Sequence, residues 1–104
     1  MNPPLPVAVF VLGTRPEAIK LAPVIKTFKK SKSILTKVII TGQHKEMVEQ
    51  VMEIFDIKSD LDLEIMKKNQ TLTHITCATL NGLFDYLSSD LPQIVLVQGD
   101  TSTA

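Results

Sequence analysis

Polar and charged side chains cluster at three points of this chain, each directly after a run of apolar residues. Gly13–Glu17 follows the first run, Thr41–His44 the second, and Gln98–Thr101 the last. Strands of a covered parallel sheet are continuous apolar runs, and such sheets bind ligands outside the carboxyl ends of their strands. The three clusters are therefore the candidate binding and catalytic segments.

The first cluster has the residue types of an anion-binding helix start. Gly13 permits a sharp turn, Pro16 suits the first turn of a helix, and Glu17 complements the helix's positive end. We expect Arg15 and Lys20 near this terminus, where free backbone N–H groups favour an anion. The segment is neither a GxGxxG fingerprint nor a GxxxxGK phosphate loop. A phosphate-bearing ligand and a merely well-capped helix both fit the pattern.

The other two clusters also leave two interpretations open. Gln43 and His44 are polar groups where a ligand would sit, but a loop glutamine and a capping histidine give the same pattern. Asp100 emerges from a strand whose Val95–Val97 segment we expect to be buried, which suits a general base. The same carboxylate could instead cap the next helix. No metal site is expected, because neither His44 nor His74 has a cluster of other ligands beside it.

Composition and charge exclude several classes of protein. The 104 residues carry 11 basic and 11 acidic side chains, without the basic excess typical of nucleic-acid binding. The longest apolar run, Val7–Leu12, is far too short for a membrane span, and the residues before it lack the basic start of a secretory signal. Cys77 is the single cysteine; it cannot form an intrachain disulfide, and we expect it to be packed within a helix. The expected compartment is the cytoplasm.

Alternating strands and helices must position the three clusters. Pro23 is expected to kink or restart the first helix. The order β-α-β-α-β-α-β with right-handed crossovers predicts an α/β fold with a doubly wound parallel sheet. The predicted strands are Val7–Leu12, Lys37–Thr41, Leu61–Met66 and Gln93–Gln98. The predicted helices are Glu17–Lys30, Lys45–Phe55 and Thr71–Leu87.

The segment from Gly13 to Pro23, GTRPEAIKLAP, resembles the opening motif of the non-hydrolysing UDP-N-acetylglucosamine 2-epimerases. The hydrolysing branch of that superfamily lacks the Gly-Thr-Arg-Pro-Glu opening. The resemblance covers nearly the whole chain beyond its first six residues, in the same order and spacing. It continues through Thr41–His44, Asp62–Met66, Gln70–Leu72 and Gln98–Thr101.

The resemblance implies a fold, a reaction and an assembly. Members of the family have two Rossmann-like domains in the glycosyltransferase-B arrangement, and residues 1–104 would form one partial N-terminal domain. They interconvert UDP-GlcNAc and UDP-ManNAc by elimination and re-addition of UDP, supplying ManNAc units for surface polysaccharides. They require no redox cofactor and are usually homodimers. By motif matching, Asp100 falls on a catalytic carboxylate, and Arg15, Lys20 and Gly13 fall at the nucleotide-sugar site.

Bacterial members also have a regulatory pocket for a second UDP-GlcNAc. Gln43 and Gln70 match glutamines of that pocket, with His44 beside them. Glu46 stands where the family often has glutamine, and Asn69 where an arginine is common. An added acidic group and a lost cation both oppose binding of a diphosphate, so allosteric activation is not expected to follow from the resemblance alone.

Three hypotheses remain open for the chain as it stands. The first is the N-terminal piece of an epimerase, inactive alone because the complete enzymes are several times longer. The second is a stand-alone half-domain that binds nucleotide sugars or a partner chain without catalysis. The third is a non-functional remnant. The cap-like ending Gly99–Ala104, with no helix behind it, indicates a chain cut in mid-fold.

Overall fold

A computed structural model describes residues 5–66, 70–89, 91–99 and 103–104. The elements follow the predicted order, and the boundaries of the three helices and of the second strand lie within two residues of the predictions. All strand pairs are parallel, so the predicted α/β fold is confirmed. The elements are β1 (Val7–Leu12), α1 (Arg15–Lys30), β2 (Leu35–Ile40), α2 (Lys45–Ile54), β3 (Leu61–Asp62), α3 (Leu72–Ser89) and β4 (Ile94–Leu96).

The sheet is doubly wound. Its strand order is β3-β2-β1-β4, so the chain adds strands on one side of β1 before crossing to the other. Helices α1 and α2 pack on one face of the sheet and α3 on the opposite face. The direction of winding reverses between β1 and β4, and sheets of this kind bind their ligands beyond the carboxyl ends of those two strands.

The larger core lies between the sheet and the helices α1 and α2. Phe10 of β1 meets Phe28 of α1 edge to face, with ring centroids 5.2 Å apart. The buried positions of both helices recur at the helical spacing that predicts them. The apolar ones are Ala18, Leu21, Ala22, Ile25, Val48, Val51 and Met52.

Helix α1 runs through Pro23 without interruption, so the predicted restart is wrong. A proline lacks the N–H that would bond the carbonyl four residues earlier, here that of Ile19. Both residues are exposed, so the freed carbonyl lies on the side of the helix that faces water. The proline therefore lies away from the core, and the buried face of α1 keeps its packing.

Strand β4 is shorter and more exposed than predicted. Only Ile94–Leu96 form the strand, rather than Gln93–Gln98, and Val95 and Val97 are exposed. The apolar run is typical of a strand covered on both faces. Here β4 lies at the sheet edge, and among the described residues no helix covers it. The expectation that Val95–Val97 is buried is therefore wrong for this chain.

Two further predictions fail near the third strand and third helix. Strand β3 is limited to Leu61–Asp62, because Glu64 has a φ of 52°, which ends the extended conformation. Cys77 is exposed rather than packed, because it lies off the side of α3 that carries the buried Ile75 and Thr79. Along the described residues, no helix has the length and apolar character needed to cross a bilayer.

Thr79→Val should raise the free energy of unfolding by about 1 kcal/mol, because a methyl group replaces a buried hydroxyl that has no partner among the described residues. Urea denaturation of the purified chain measures the change. The matched control is Thr76→Val on the exposed side of α3, expected to shift stability by less than about 0.5 kcal/mol. A loss of stability in the Thr79 variant alone would contradict the prediction.

Candidate functional site

The turn from β1 into α1 is held by the buried carboxylate of Glu17. Its Oε1 accepts from the backbone N–H of Gly13 at 3.2 Å, and its Oε2 accepts from Oγ1 of Thr14 at 2.6 Å. Thr14 is the N-cap residue and Glu17 the third helical residue, which is the spacing of a capping box. A carboxylate here interacts favourably with the helix dipole. Thr14 makes no side-chain hydrogen bond to a helix N–H, so Glu17 fixes the turn before the helix rather than completing a capping box.

The two predicted cations lie on the exposed side of this turn. Arg15 is the first residue of α1 and is exposed, as is Lys20. Five residues of helix separate them by about 7.5 Å along the axis and about 140° around it. Arg15 is thus at the terminus, whereas Lys20 lies more than a turn below it. The N–H of Gly13 already bonds Glu17, so it is not a free donor for a ligand.

The turn from β2 into α2 has an unusual backbone. Gly42 has a φ of 92°, and a Cβ there would lie 3.1 Å from Cα of Glu64. His44, the N-cap residue of α2, has a φ of 120° and makes no side-chain cap hydrogen bond. A positive φ at a residue other than glycine is strained and is found disproportionately at functional sites. His44 is therefore an exposed residue with a strained backbone conformation at this edge of the sheet.

An ion pair fixes this turn to the end of β3. Nζ of Lys45 lies 3.0 Å from Oδ2 of Asp62. This hydrogen bond and the negative charge of Asp62 raise the pKa of Lys45 above its ordinary value. The pair therefore stabilises the fold below lysine's ordinary pKa, and its contribution is lost as the pH rises through the raised value. Both side chains are partly exposed, so water and salt screen the interaction.

The side chain of Thr103 joins the ends of β1 and β2. Its Oγ1 donates to Oε1 of Gln43 at 2.9 Å and lies 3.3 Å from Oγ1 of Thr41. Thr103 also fills the space beside Gly13. A Cβ added to Gly13 would lie 2.1 Å from Oγ1 of Thr103 and 2.6 Å from Cβ of Thr103. The glycine is therefore required by this close approach rather than by a special φ. The structure brings the predicted residues Gly13 and Gln43 together through Thr103.

The predicted residue Gln70, which lies between β3 and α3 in the sequence, is at the same edge. Its Nε2 donates to the backbone oxygen of Ile65, and the N–H of Ile65 donates to the oxygen of Thr41 at 2.9 Å. The buried Oε1 of Gln70 and Nε2 of His74 have no partner among the described residues. Gln43 and Gln70 thus lie on adjoining turns, as a shared pocket requires, although no hydrogen bond between them is among those described.

Two positions of the sequence prediction lie outside the described residues, the catalytic candidate Asp100 and the regulatory position Asn69. Glu46 is exposed, and with His44 and Met47 it lines a depression of about 320 Å³. A cavity of about 390 Å³ lies away from the strand ends, beside Glu53 at the far end of α2. Within the described part of the chain, no three His, Cys, Asp or Glu side chains are grouped to hold a metal ion.

Sequence reasoning missed the two threonines that organise this edge. Thr41 and Thr103 are both buried, and their hydroxyls meet although 62 residues separate them in sequence. No local pattern signals such a contact. His74 could have been found by its spacing, since it lies four residues after Gln70, the distance at which side chains become neighbours in a helix.

Comparison with known proteins gives consistent matches. A family model described as UDP-N-acetylglucosamine 2-epimerase matches residues 26–104. The UDP-N-acetylglucosamine 2-epimerase of Neisseria meningitidis serogroup A is 54% identical over 93 residues, which cover 89% of this chain and 25% of that relative. The chain thus spans about a quarter of the length of the curated relatives that it matches.

Solved structures agree in fold. UDP-GlcNAc 2-epimerase from Neisseria meningitidis, bound to UDP-GlcNAc, is 52% identical with a TM-score of 0.85, covering 93% of this chain and 27% of that one. The Methanocaldococcus jannaschii UDP-GlcNAc 2-epimerase, in complex with UDP-GlcNAc and UDP, is 33% identical with a TM-score of 0.84 over the same shares, 93% and 27%.

Gly13→Ala should lower the free energy of unfolding by about 1–3 kcal/mol, because the new methyl group overlaps Thr103. The double variant with Thr103→Gly should lose less than the sum of the two single changes, because it removes both overlapping atoms. Thr103→Ala is the control that should not rescue, since its Cβ remains 2.6 Å from the new methyl group. Strict additivity in urea denaturation would refute the close approach.

Proposed function

This chain belongs to the UDP-N-acetylglucosamine 2-epimerase family, and on that premise we propose that it is the N-terminal part of an enzyme that interconverts UDP-GlcNAc and UDP-ManNAc. The observation that carries the proposal is the 52% identity and 0.85 TM-score to an epimerase bound to UDP-GlcNAc. The chain covers 27% of that protein, so the complete enzyme would add the second domain of a glycosyltransferase-B arrangement. The cytoplasm is the proposed compartment, in keeping with a single cysteine.

The proposed reaction proceeds in two balanced halves. A carboxylate base removes the proton on C2 of the sugar, the bond from C1 to the diphosphate oxygen breaks, and UDP leaves with that electron pair. The product is a 2-acetamidoglucal. UDP then adds back to C1, and a proton returns to the other face of C2. No redox cofactor is required, because each half moves a proton and the diphosphate, with no hydride transfer and no net oxidation of the sugar.

We assign the first half of this chemistry to residues at the strand ends. Asp100, which follows β4 in the sequence, is the proposed base because it matches the catalytic carboxylate that the family resemblance implies. Arg15 lies at the α1 terminus and would stabilise the departing diphosphate, with Lys20 further along the helix. Gly13 contributes space rather than a donor, since its N–H bonds Glu17.

A regulatory role is proposed for the neighbouring turn. Gln43, His44 and Gln70 lie at the carboxyl ends of β2 and β3, beside the proposed substrate edge. They would hold a second UDP-GlcNAc. The exposed carboxylate of Glu46, in the first turn of α2, would repel a diphosphate, so weak activation is expected.

The proposed assembly of the complete enzyme is a homodimer. The outer side of α3 supports it, because Leu80 and Phe84 are exposed there at helical spacing with Cys77. Exposed apolar patches of this kind mark protein interfaces. The isolated chain is expected to lack epimerase activity and to self-associate, because the uncovered β4 adds an unpaired edge to this apolar surface.

Arg15→Ala and Lys20→Ala should each weaken UDP binding about tenfold with little change in stability, because charge-assisted contacts to phosphate are worth about 1.5–3 kcal/mol. Titration of the labelled chain with UDP, followed by amide NMR, measures the effect. Lys30→Ala, an exposed lysine at the other end of α1, is the matched control. Equal UDP affinity with much earlier melting would make both residues structural. Absence of any response in the wild-type chain would favour a remnant.

In the complete enzyme, Asp100→Asn should reduce epimerisation by about 10²–10⁴-fold while leaving the fold intact, because general acid–base groups contribute that much. Proton NMR of the sugar anomeric signals follows the conversion of UDP-GlcNAc to UDP-ManNAc. Asp56→Asn, an exposed carboxylate near the far end of α2, is the control with expected wild-type turnover. Near-normal turnover of the Asp100 variant would remove this residue from the mechanism.

A further inference from the structure

Three polar groups form a closed ring of hydrogen bonds that begins and ends on Gln43. The backbone N–H of Gln43 donates to Oγ1 of Thr41 at 3.4 Å, and that oxygen lies 3.3 Å from Oγ1 of Thr103. Oγ1 of Thr103 in turn lies 2.9 Å from Oε1 of the Gln43 side chain. Both threonines are buried, so within the described part of the chain these contacts are what satisfy their hydroxyls.

Counting protons fixes the direction of the ring. Each threonine hydroxyl has one proton to donate. Thr103 gives its proton to Oε1 of Gln43, so the contact between the threonines requires Thr41 to be the donor. With the carboxamide turned over, Nε2 would donate to Thr103, Thr103 to Thr41, and the proton of buried Thr41 would have no acceptor among the described residues. The ring therefore selects the orientation with Oε1 towards Thr103.

This orientation decides what Gln43 can offer a ligand. Its oxygen already accepts from Thr103, whereas neither proton of Nε2 has a partner among the described residues, and the side chain is only half-buried. The carboxamide therefore presents donors, which suits a ligand rich in acceptor oxygens such as phosphoryl or carbonyl groups.

The position of Thr103 is itself tightly held. It occupies the space beside Gly13, where a Cβ on Gly13 would lie 2.1 Å from Oγ1 of Thr103. It also belongs to the loop after β4, the strand that borders the proposed substrate edge. The ring thus connects that loop to the turn after β2 through two buried hydroxyls, without any charged group.

We propose that Thr103 is a positioning residue that locks the Gln43 carboxamide with its Nε2 donors directed at an acceptor-bearing ligand. The proposal rests on the proposed function only for the identity of that ligand, a nucleotide sugar. The locked carboxamide follows from the ring alone. Loss of the Thr103 hydroxyl frees the carboxamide to rotate. Part of the binding free energy of the ligand is then offset by the entropy lost when the carboxamide is ordered.

The test compares Thr103→Val, which keeps the shape and removes the hydroxyl, with Thr103→Ser, which keeps the hydroxyl. The first readout is the side-chain N–H pair of Gln43 in the labelled chain without ligand, assigned by its loss in Gln43→Ala. The second is the affinity for UDP-GlcNAc by titration. Thr76→Val, on the exposed side of α3, is the matched threonine control. Thr103→Ala replaces the valine variant if that variant does not fold.

Thr103→Val should shift the Gln43 N–H pair and weaken UDP-GlcNAc binding about three- to tenfold, the usual range for one positioned hydrogen bond. Thr103→Ser should keep the wild-type shifts and bind within about twofold of wild type. Unchanged Gln43 signals in the valine variant would overturn the proposal, as would unchanged affinity. If the wild-type chain fails to bind UDP-GlcNAc, the assignment of this ligand to Gln43 fails, and the Gln43 signals alone decide whether Thr103 positions the carboxamide.

Discussion

The buried carboxylate of Glu17 is the interaction on which the candidate site depends. It bonds the N–H of Gly13 and the hydroxyl of Thr14, and so joins the end of β1 to the start of α1 in one geometry. That geometry leaves the space beside Gly13 that Thr103 fills, and it puts Arg15 on the outside of the turn. A carboxylate among these donors is stabilised by the helix dipole, which makes its burial tolerable.

The rest of the site follows from the parallel sheet. Because all four strands run the same way, their carboxyl ends meet at one edge, and the loops after β1, β2 and β3 become neighbours. A backbone hydrogen bond from Ile65 to Thr41 ties two of these loops together. Among the described residues, no further strand pairs with the outer side of β4.

Helices α1 and α2 were predictable because their apolar stripes match the helical period and are buried against β1 and β2. Other predictions failed where burial or strand length depends on the surroundings of a segment rather than on its own sequence. Val95 and Val97 have the sequence of a buried strand, yet they are exposed because they lie at the sheet edge. Strand β3 ends early because Glu64 takes a left-handed conformation. Pro23 does not interrupt α1, because its side of the helix faces water.

The sequence by itself determined the order of the elements, the parallel sheet and the polar segments that follow its strands, because periodicity and turn residues act locally. It also carried the family resemblance, through the motif that starts at Gly13. Only the tertiary structure decided that Thr103 lies against Gly13 and bonds Gln43, and that Glu17 takes the donors a ligand would otherwise use. Thr103 lies 60 positions from Gln43 in the sequence and further still from Gly13, so packing rather than any local pattern fixes its contacts.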